Sequence, residues 1–319
     1  MRYGLPYKGS KNSIAEWVVD NLPKAEVFCD LFFGGGAITH RAMLTGKYKQ
    51  FIINDIDARL PQLFIDCAYG KYTTANHPEW ISREEFFRRK DEDAYIALVW
   101  SFGNNGKDYI YGTDIEDFKH AYHQAVYKDD TSLLEPWGYK ISSSHLETVY
   151  ERYIEFNRQI KQIARSDLDS VVRQIEIERL QSLQSLQSLQ SLQSLQSLQS
   201  LQSLQSYGMD YRHIPTPKNA LLYCDIPYVG TNCGKYGGFN HADFYEWARR
   251  QDNIFISEYT MPDDFIEIAN TKKVVLSSAI GNGDKAVERI FTNRRTYDRL
   301  PDDTKQVIAI NTAEQITLF

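Results

Sequence analysis

The stretch Asp225, Ile226, Pro227, Tyr228 closes the apolar run "LLYCDIPYVG" and brings together a carboxylate, a constrained backbone and an aromatic ring. These groups suit one kind of chemistry. A planar exocyclic amine on a heteroaromatic base is a poor nucleophile, because its lone pair is delocalised into the ring. A carboxylate and a carbonyl oxygen that both accept the amine's protons draw that lone pair out of conjugation and aim it at an electrophile. Asp225 and the main-chain carbonyl of Ile226 are the pair, and Pro227 fixes the chain so that this carbonyl points outward. Tyr228 offers a face for stacking, worth roughly 1 to 3 kcal/mol per base. An amine inside a duplex is out of reach, so the nucleotide must be flipped out at a cost of a few kcal/mol. A strand ending in an ordinary Asp-x-Pro turn is the plainer reading of the same letters.

A second constellation lies upstream. In "EVFCDLFFGGGAIT" an apolar run ends at Asp30, and Gly34, Gly35 and Gly36 follow, where positive φ and close backbone approach are possible. "FIINDID" repeats the theme with Asp55 about 20 residues on, the spacing at which an acid on a second strand meets a ribose. The glycines match neither G-x-x-x-x-G-K-[ST] nor G-x-G-x-x-G. A ligand with an adenosine end and no pyrophosphate fits better, and S-adenosylmethionine is the common one. Asp30 would meet its ammonium, directly or through water, and Asp55 both ribose hydroxyls. Taken singly, the glycines also read as a tight turn and Asp55 as a turn or cap acid.

These residues need strands to carry them. "EVFC", "FIIN", "ALLYC", "NIFISEY", "KKVVLSSA" and "QVIAINT" read as strands, and "HADFYEWARRQ" as a helix between two of them. The fold class is therefore α/β, with acids at strand ends, where open sheets of this class bind ligands. From about Pro78 to Pro217 the chain is charged, aromatic and helical in period, and "SREEFFRRK" opens on a capping box. This stretch reads as an inserted, mostly helical domain, leaving 1–77 and 218–319 as the domain that holds the two constellations. Inside it, nine tandem Leu-Gln-Ser copies run from Leu180 to Ser206. A three-residue step turns 300° on an α-helix, so the leucines drift around the axis, and on a strand they alternate faces. The tract is expected to be a low-complexity, helical insert at the surface, with a self-association coil or a partner-binding arm as the alternative.

Composition bounds the rest. The chain of 319 residues is long enough for an α/β core and one further domain. Hydrophobic residues make up 42% and charged residues 24%, no apolar run approaches the ~18 residues of a membrane span, and the N-terminus has no apolar leader core. A cytoplasmic protein that does not enter membranes is expected. Cys29, Cys67, Cys224 and Cys233 form no C-x-x-C pair and read as buried thiols, with no metal site expected. The net charge of −6 does not itself suggest a nucleic-acid binder, although a locally basic face is compatible with it.

In "PYKGSK", "DLFFGGGA", "NDID", "SFGNNGKDYIYG" and "YCDIPY", and in their order, the chain resembles the D12 class of DNA adenine methyltransferases, whose catalytic motif is written D-P-P-Y. The resemblance covers most of the chain outside the Leu-Gln-Ser tract. It implies a Rossmann-like methyltransferase sheet with an inserted target-recognition domain, S-adenosylmethionine as cofactor, double-stranded DNA as partner, and transfer of a methyl group to the exocyclic amine of adenine. Tyr7 and Lys11 match the N-terminal motif that lies against the cofactor. Asp30, Phe32, Gly34 and Gly36 match its glycine turn, Asp55 its ribose acid, and Asp225, Pro227 and Tyr228 three of four catalytic letters. Ile226 stands where the family has proline; it keeps the carbonyl, loses some rigidity and adds an N–H that needs a partner. Phe239 matches an aromatic that shapes the base pocket.

"SFGNNGKDYIYG" has the composition of a loop laid along phosphates, with Asn104, Asn105 and Lys107 as the DNA contacts; a loop rich in turn formers is the competing reading. Arg83, Arg88, Arg89, Lys90, Arg294 and Arg295 read first as solvated helix faces. No nuclease motif is evident and no obligate protein partner is expected, so a solitary methyltransferase is the default. Methylation of the cytosine amine or of RNA, and a catalytically silent DNA-binding homologue, are the alternatives.

Overall fold

The computed structural model describes residues 2–77, 79–142, 144–166, 183–198, 203–229, 238–274, 285–302 and 305. Among the described residues seven strands form one sheet: β1 (Val27–Asp30), β2 (Gln50–Asn54), β3 (Leu204–Tyr207), β4 (Leu221–Asp225), β5 (Ile254–Glu258), β6 (Phe265–Val274) and β7 (Lys285–Asn293), in the spatial order β3-β2-β1-β4-β5-β7-β6. The first five are mutually parallel, and β7 runs antiparallel to both β5 and β6. The chain moves from β1 to β2 on one side and returns through β3 to β4 on the other. The crevice outside the ends of β1 and β4 is therefore the switch point at which sheets of this kind bind ligands. Register puts Asp30 opposite Tyr223, so Asp30 and Asp225 close neighbouring strands.

The strand residues alternate between two apolar clusters, as the two-residue period of a strand requires. Phe28, Phe51, Ile53, Leu221, Tyr223 and Phe255 face one cluster, while Cys29, Ile52, Leu222, Cys224, Ile254 and Ile256 face the other. On the first face pack α1 (Ala15–Asn21), α2 (Ala37–Thr45) and α3 (Arg59–Ala68). Farther along come α4 (Arg83–Arg89), α5 (Ala94–Val99), α6 (Glu116–Lys128) and α7 (Val149–Ser166). Ser82 caps α4, its Oγ accepting the Glu85 N–H at 3.2 Å, while the Glu85 carboxylate pairs with Arg89 at 2.7 Å. Phe118, Tyr122, Phe156 and Ile160, from α6 and α7, build a third cluster of their own.

The repeat tract departs from the expectation of a surface insert. Residues Gln184–Gln193 form α8, a 3-10 turn follows at Ser194–Ser197, and Leu183, Leu186, Leu189, Leu192, Leu195 and Leu198 are all buried. The drift that argues against one lasting stripe is what this position uses. Each three-residue step moves the leucine by about 60° around the axis. Leu183 and Leu186 therefore enter the third cluster, and Leu189 and Leu192 the first. The 3-10 turn, with three residues per turn, then halts the drift and keeps Leu195 and Leu198 in the first cluster. The last copy becomes β3 and pairs with β2, so Leu204–Tyr207, read within the insert from sequence, belong to the sheet.

On the opposite face lies α9 (His241–Ala248), with Phe244 and Ala248 buried, and α10 (Arg294–Arg299) follows β7. Of the strands expected late in the chain, "KKVVLSSA" overlaps the end of β6 and otherwise lies outside the described residues, as does "QVIAINT". Cys29, Cys67 and Cys224 are buried free thiols, and Cys233 is outside the described residues. Among the described residues no helix is long and apolar enough to cross a membrane.

Candidate active site

One cleft of about 980 Å³ opens at the switch point. It is large enough for a nucleoside-sized cofactor and a base together. Its lining includes Tyr7, Lys11, Asp30, Phe32, Gly34, Gly36 and Asp55 from the first constellation, and Asp225, Ile226, Pro227 and Tyr228 from the second. Phe239 and the loop residues Asn104, Asn105 and Lys107 line it as well. The residues singled out from sequence thus converge on one surface.

The floor is the glycine turn. Gly36 takes φ +67°, and a Cβ there would lie 2.1 Å from the Phe33 ring; a Cβ on Gly35 would lie 2.7 Å from Cβ of Tyr7. Only hydrogen fits at either position, so the backbone can approach a ligand closely. The N-terminal segment lies over the turn, with the Leu5 N–H donating to Gly35 O at 2.7 Å. Asp55 fixes the turn from the second strand: its Oδ2 accepts the Gly34 N–H at 2.8 Å and its Oδ1 the Asp57 N–H at 2.9 Å.

Asp30 is 2% exposed. Thr39 Oγ1 donates to its Oδ2 at 2.7 Å, while Oδ1 has no hydrogen-bond partner in the protein. Burial pushes its carboxyl up to about 7; the Thr39 bond opposes that shift, and the nearby charges of Asp225 and Asp55 add to it. Asp30 thus brings a buried acceptor to the wall of a cleft that Asp55 and Asp225 also line.

The catalytic-type segment is held at each of its residues around the Ile226 carbonyl. Asp225 Oδ1 pairs with Lys11 Nζ at 3.0 Å. His241 Nε2 donates to the Pro227 carbonyl at 2.7 Å, and the Val229 N–H donates to Glu258 Oε2 at 3.3 Å. Tyr228 OH donates to Glu288 Oε2 at 2.8 Å. Ile226 itself is 2% exposed, its side chain locked among Phe244, Ile256 and neighbours, so packing supplies rigidity that a proline ring would otherwise give. Burial alone would lower the Lys11 pKa, but the carboxylates of Asp225 and Glu288 raise it above the usual lysine range, and the group stays charged.

Phe32 meets Phe239 edge to face at 5.7 Å and Tyr211 at 5.1 Å, forming an aromatic wall beside the segment. In the loop, Asn104 Nδ2 donates to Leu98 O at 2.8 Å and to Ser188 Oγ of α8 at 2.9 Å, while Asn105 Oδ1 accepts from the N–H groups of Lys107 and Asp108 at 2.8 and 3.0 Å. Both asparagines therefore shape the loop, and Lys107 is its exposed cation. Arg83, Arg88, Arg89, Arg294 and Arg295 lie outside the cleft lining, and of these Arg83 is engaged with Glu116 at 2.9 Å, Arg89 with Glu85 at 2.7 Å, and Arg295 with Asp252.

A family model described as D12 class N6 adenine-specific DNA methyltransferase matches residues 7–265. The chain belongs to that family. No curated protein matches the chain. The methyltransferase is therefore an enzyme that methylates adenine N6 in DNA, and neither the cytosine and RNA readings nor the silent-homologue reading finds support.

Several residues that line the cleft of this methyltransferase or hold its walls escaped the sequence reading. Glu258 ends β5 as Asp30 ends β1, so the same strand-then-acid signal would have found it. His241 sits inside "GGFNHADF" next to a residue that was noticed. Ile56, 60% exposed, and Met209, 38% exposed, face the cleft beyond β2 and β3, and the latter follows the repeat. Glu288 had no signal at all: an acid in the middle of β7 reads as solvent-facing until the cleft is assembled.

Proposed function

We propose that S-adenosylmethionine binds over the glycine turn and that a flipped adenine of double-stranded DNA enters beside it, against Asp225 and Tyr228. The observation carrying this reading is the meeting of Asp30, Asp55, Asp225 and Tyr228 in one cleft at the ends of β1, β2 and β4. The cofactor's fit is supported by the partnerless Asp30 Oδ1, which matches an ammonium, and by the turn in which a Cβ at Gly35 or Gly36 would collide. A carboxylate accepts at about four positions, so Asp55 can hold the turn and also take ribose hydroxyls. Ile56 and Met209 suit the two sides of an adenine ring. When bound, the cofactor supplies a methyl group on a positively charged sulfur.

The chain does the rest. The Asp225 carboxylate and the Ile226 carbonyl accept the two N6 protons of adenine and localise its lone pair toward that methyl. His241, bonded to the Pro227 carbonyl, and the buried Ile226 side chain fix the backbone on either side of the Ile226 carbonyl. Tyr228 and Phe239 bracket the extruded base and offset its unstacking. Lys107 contacts phosphate, with Asn104 and Asn105 holding its loop in shape. Target contact is drawn from the helical stretch between β2 and β3, and catalysis from the sheet.

The test is transfer of labelled methyl from S-adenosylmethionine to double-stranded DNA, beside an Asp225→Ala control, with the product base identified and long-read sequencing reporting its context. N6-methyladenine from the wild type, lost in the control, is expected. Absence of methyl transfer to any DNA by well-folded wild-type protein refutes the reading.

A further inference from the structure

The role of Glu288 goes beyond the family match, which ends at residue 265. It is an acid in the interior of β7, 3% exposed, with its carboxylate in the cleft lining. Its Oε2 accepts the Tyr228 hydroxyl at 2.8 Å and stands 3.7 Å from Lys11 Nζ. The same ammonium is 3.0 Å from Asp225 Oδ1 and 4.2 Å from the centroid of the Tyr228 ring. Lys11 thus covers both the carboxylate that must accept one of the N6 protons and the ring against which the base must stack.

A buried ammonium cannot simply be pushed aside, because stranding it without a counter-charge costs several kcal/mol. It needs a second acid within reach. Glu288 is that acid, one small displacement away, and its hold on the Tyr228 hydroxyl fixes the ring while the ammonium shifts. Tyr259 meets the Tyr228 ring edge to face at 4.4 Å, which limits how far that ring can turn.

We propose that Glu288 is a positioning residue that takes over the Lys11 ammonium from Asp225 as the target adenine arrives, while keeping Tyr228 in its stacking orientation. The proposal rests on the reading that Asp225 and Tyr228 receive the base. No bond is made or broken in this step, and the ammonium keeps its three protons as its carboxylate partner changes.

The test is steady-state kinetics and cofactor affinity on full-length protein carrying Glu288→Gln, Lys11→Met, both together, and Tyr228→Phe. Glutamine still accepts the Tyr228 hydroxyl but carries no charge. Glu288→Gln is expected to lower kcat on the order of tenfold, as loss of a buried charged partner does, with the dissociation constant for S-adenosylhomocysteine changed less than about twofold. Because Glu288 acts through Lys11, the double variant should be no slower than Lys11→Met alone. Wild-type kcat in Glu288→Gln, or independent losses that multiply in the double variant, would overturn the proposal. If Glu288→Gln melts early, Tyr228→Phe tests the other half of the proposal, the hold of Glu288 on the ring, and an unchanged kcat there is equally fatal. A wild-type protein that methylates adenine beside an unaffected Glu288→Gln refutes this inference alone, whereas an inactive wild type refutes the parent reading with it.

Discussion

Asp30 makes cofactor binding pH-dependent in a direction that follows from its burial. Its carboxyl titrates at about 7 because burial opposes the charged form, with Asp225 and Asp55 adding to the shift. An ammonium on the cofactor binds the ionised carboxylate, so affinity rises with pH until Asp30 is ionised. For one such group the apparent dissociation constant scales as 1 + 10^(pKa − pH), which gives a factor of about 33 at pH 5.5 and about 2 at pH 7.0. Affinity should therefore weaken about sixteenfold on going from pH 7.0 to 5.5, or about 1.6 kcal/mol. The window stops at pH 7.0 because an α-amino group itself begins to lose its proton near ~7.7. Isothermal titration calorimetry with S-adenosylhomocysteine, which carries the same ammonium, reads the effect. Asp30→Asn should bind more weakly at pH 7.0 and lose most of the slope. A flat wild-type profile, or an equal slope in Asp30→Asn, would refute the reasoning.

Other outcomes follow from the same geometry. Leu189→Ala or Leu192→Ala in the repeat should each cost about 2 to 5 kcal/mol in denaturant unfolding, whereas exposed Gln187→Ala should stay within about 0.5 kcal/mol, and equal effects at the two kinds of position would contradict the buried tract. Gly36→Ala should lose more stability than Gly103→Ala, by chemical denaturation, since both have positive φ but only the former's Cβ meets an atom, the Phe33 ring at 2.1 Å. Glu258, pushed up to about 7 chiefly by burial, with the N–H groups of Tyr259 and Val229 opposing, ionises in the unfolded chain first. Stability should therefore fall as pH climbs from ~4.5 to ~7 and level off above, and Glu258→Gln should flatten that part of a melting-temperature profile; an unchanged slope in the variant would refute the assignment.

The strand-end acids, the glycine turn and the Asp-Ile-Pro-Tyr segment were legible because each is a short local signal: an apolar run that stops, a backbone that needs hydrogen at Cα, a ring that fixes φ. The capping box at Ser82 and the helix at His241–Ala248 were legible for the same reason. The repeat tract was not, since neither a three-residue step on a helix nor an alternating strand yields a stripe that one partner can cover. Its leucines are buried only because two separate clusters lie at different angles around α8, an arrangement made by α3, α5, α6 and α7. β3 and β7 were missed alongside it, the first hidden in a repeat and the second carrying a buried acid.

By itself the sequence determined the chemistry that is possible, through the identity of Asp30, Asp55, Asp225 and Tyr228 and the turns that present them. Only the tertiary structure decided which charges face one another. Lys11, Asp225 and Glu288 come from the N-terminus, β4 and β7, and the fold puts both carboxylates within 3.7 Å of the one ammonium. Electrostatic partnership falls steeply with distance in space and is indifferent to separation along the chain, so no local pattern announces it.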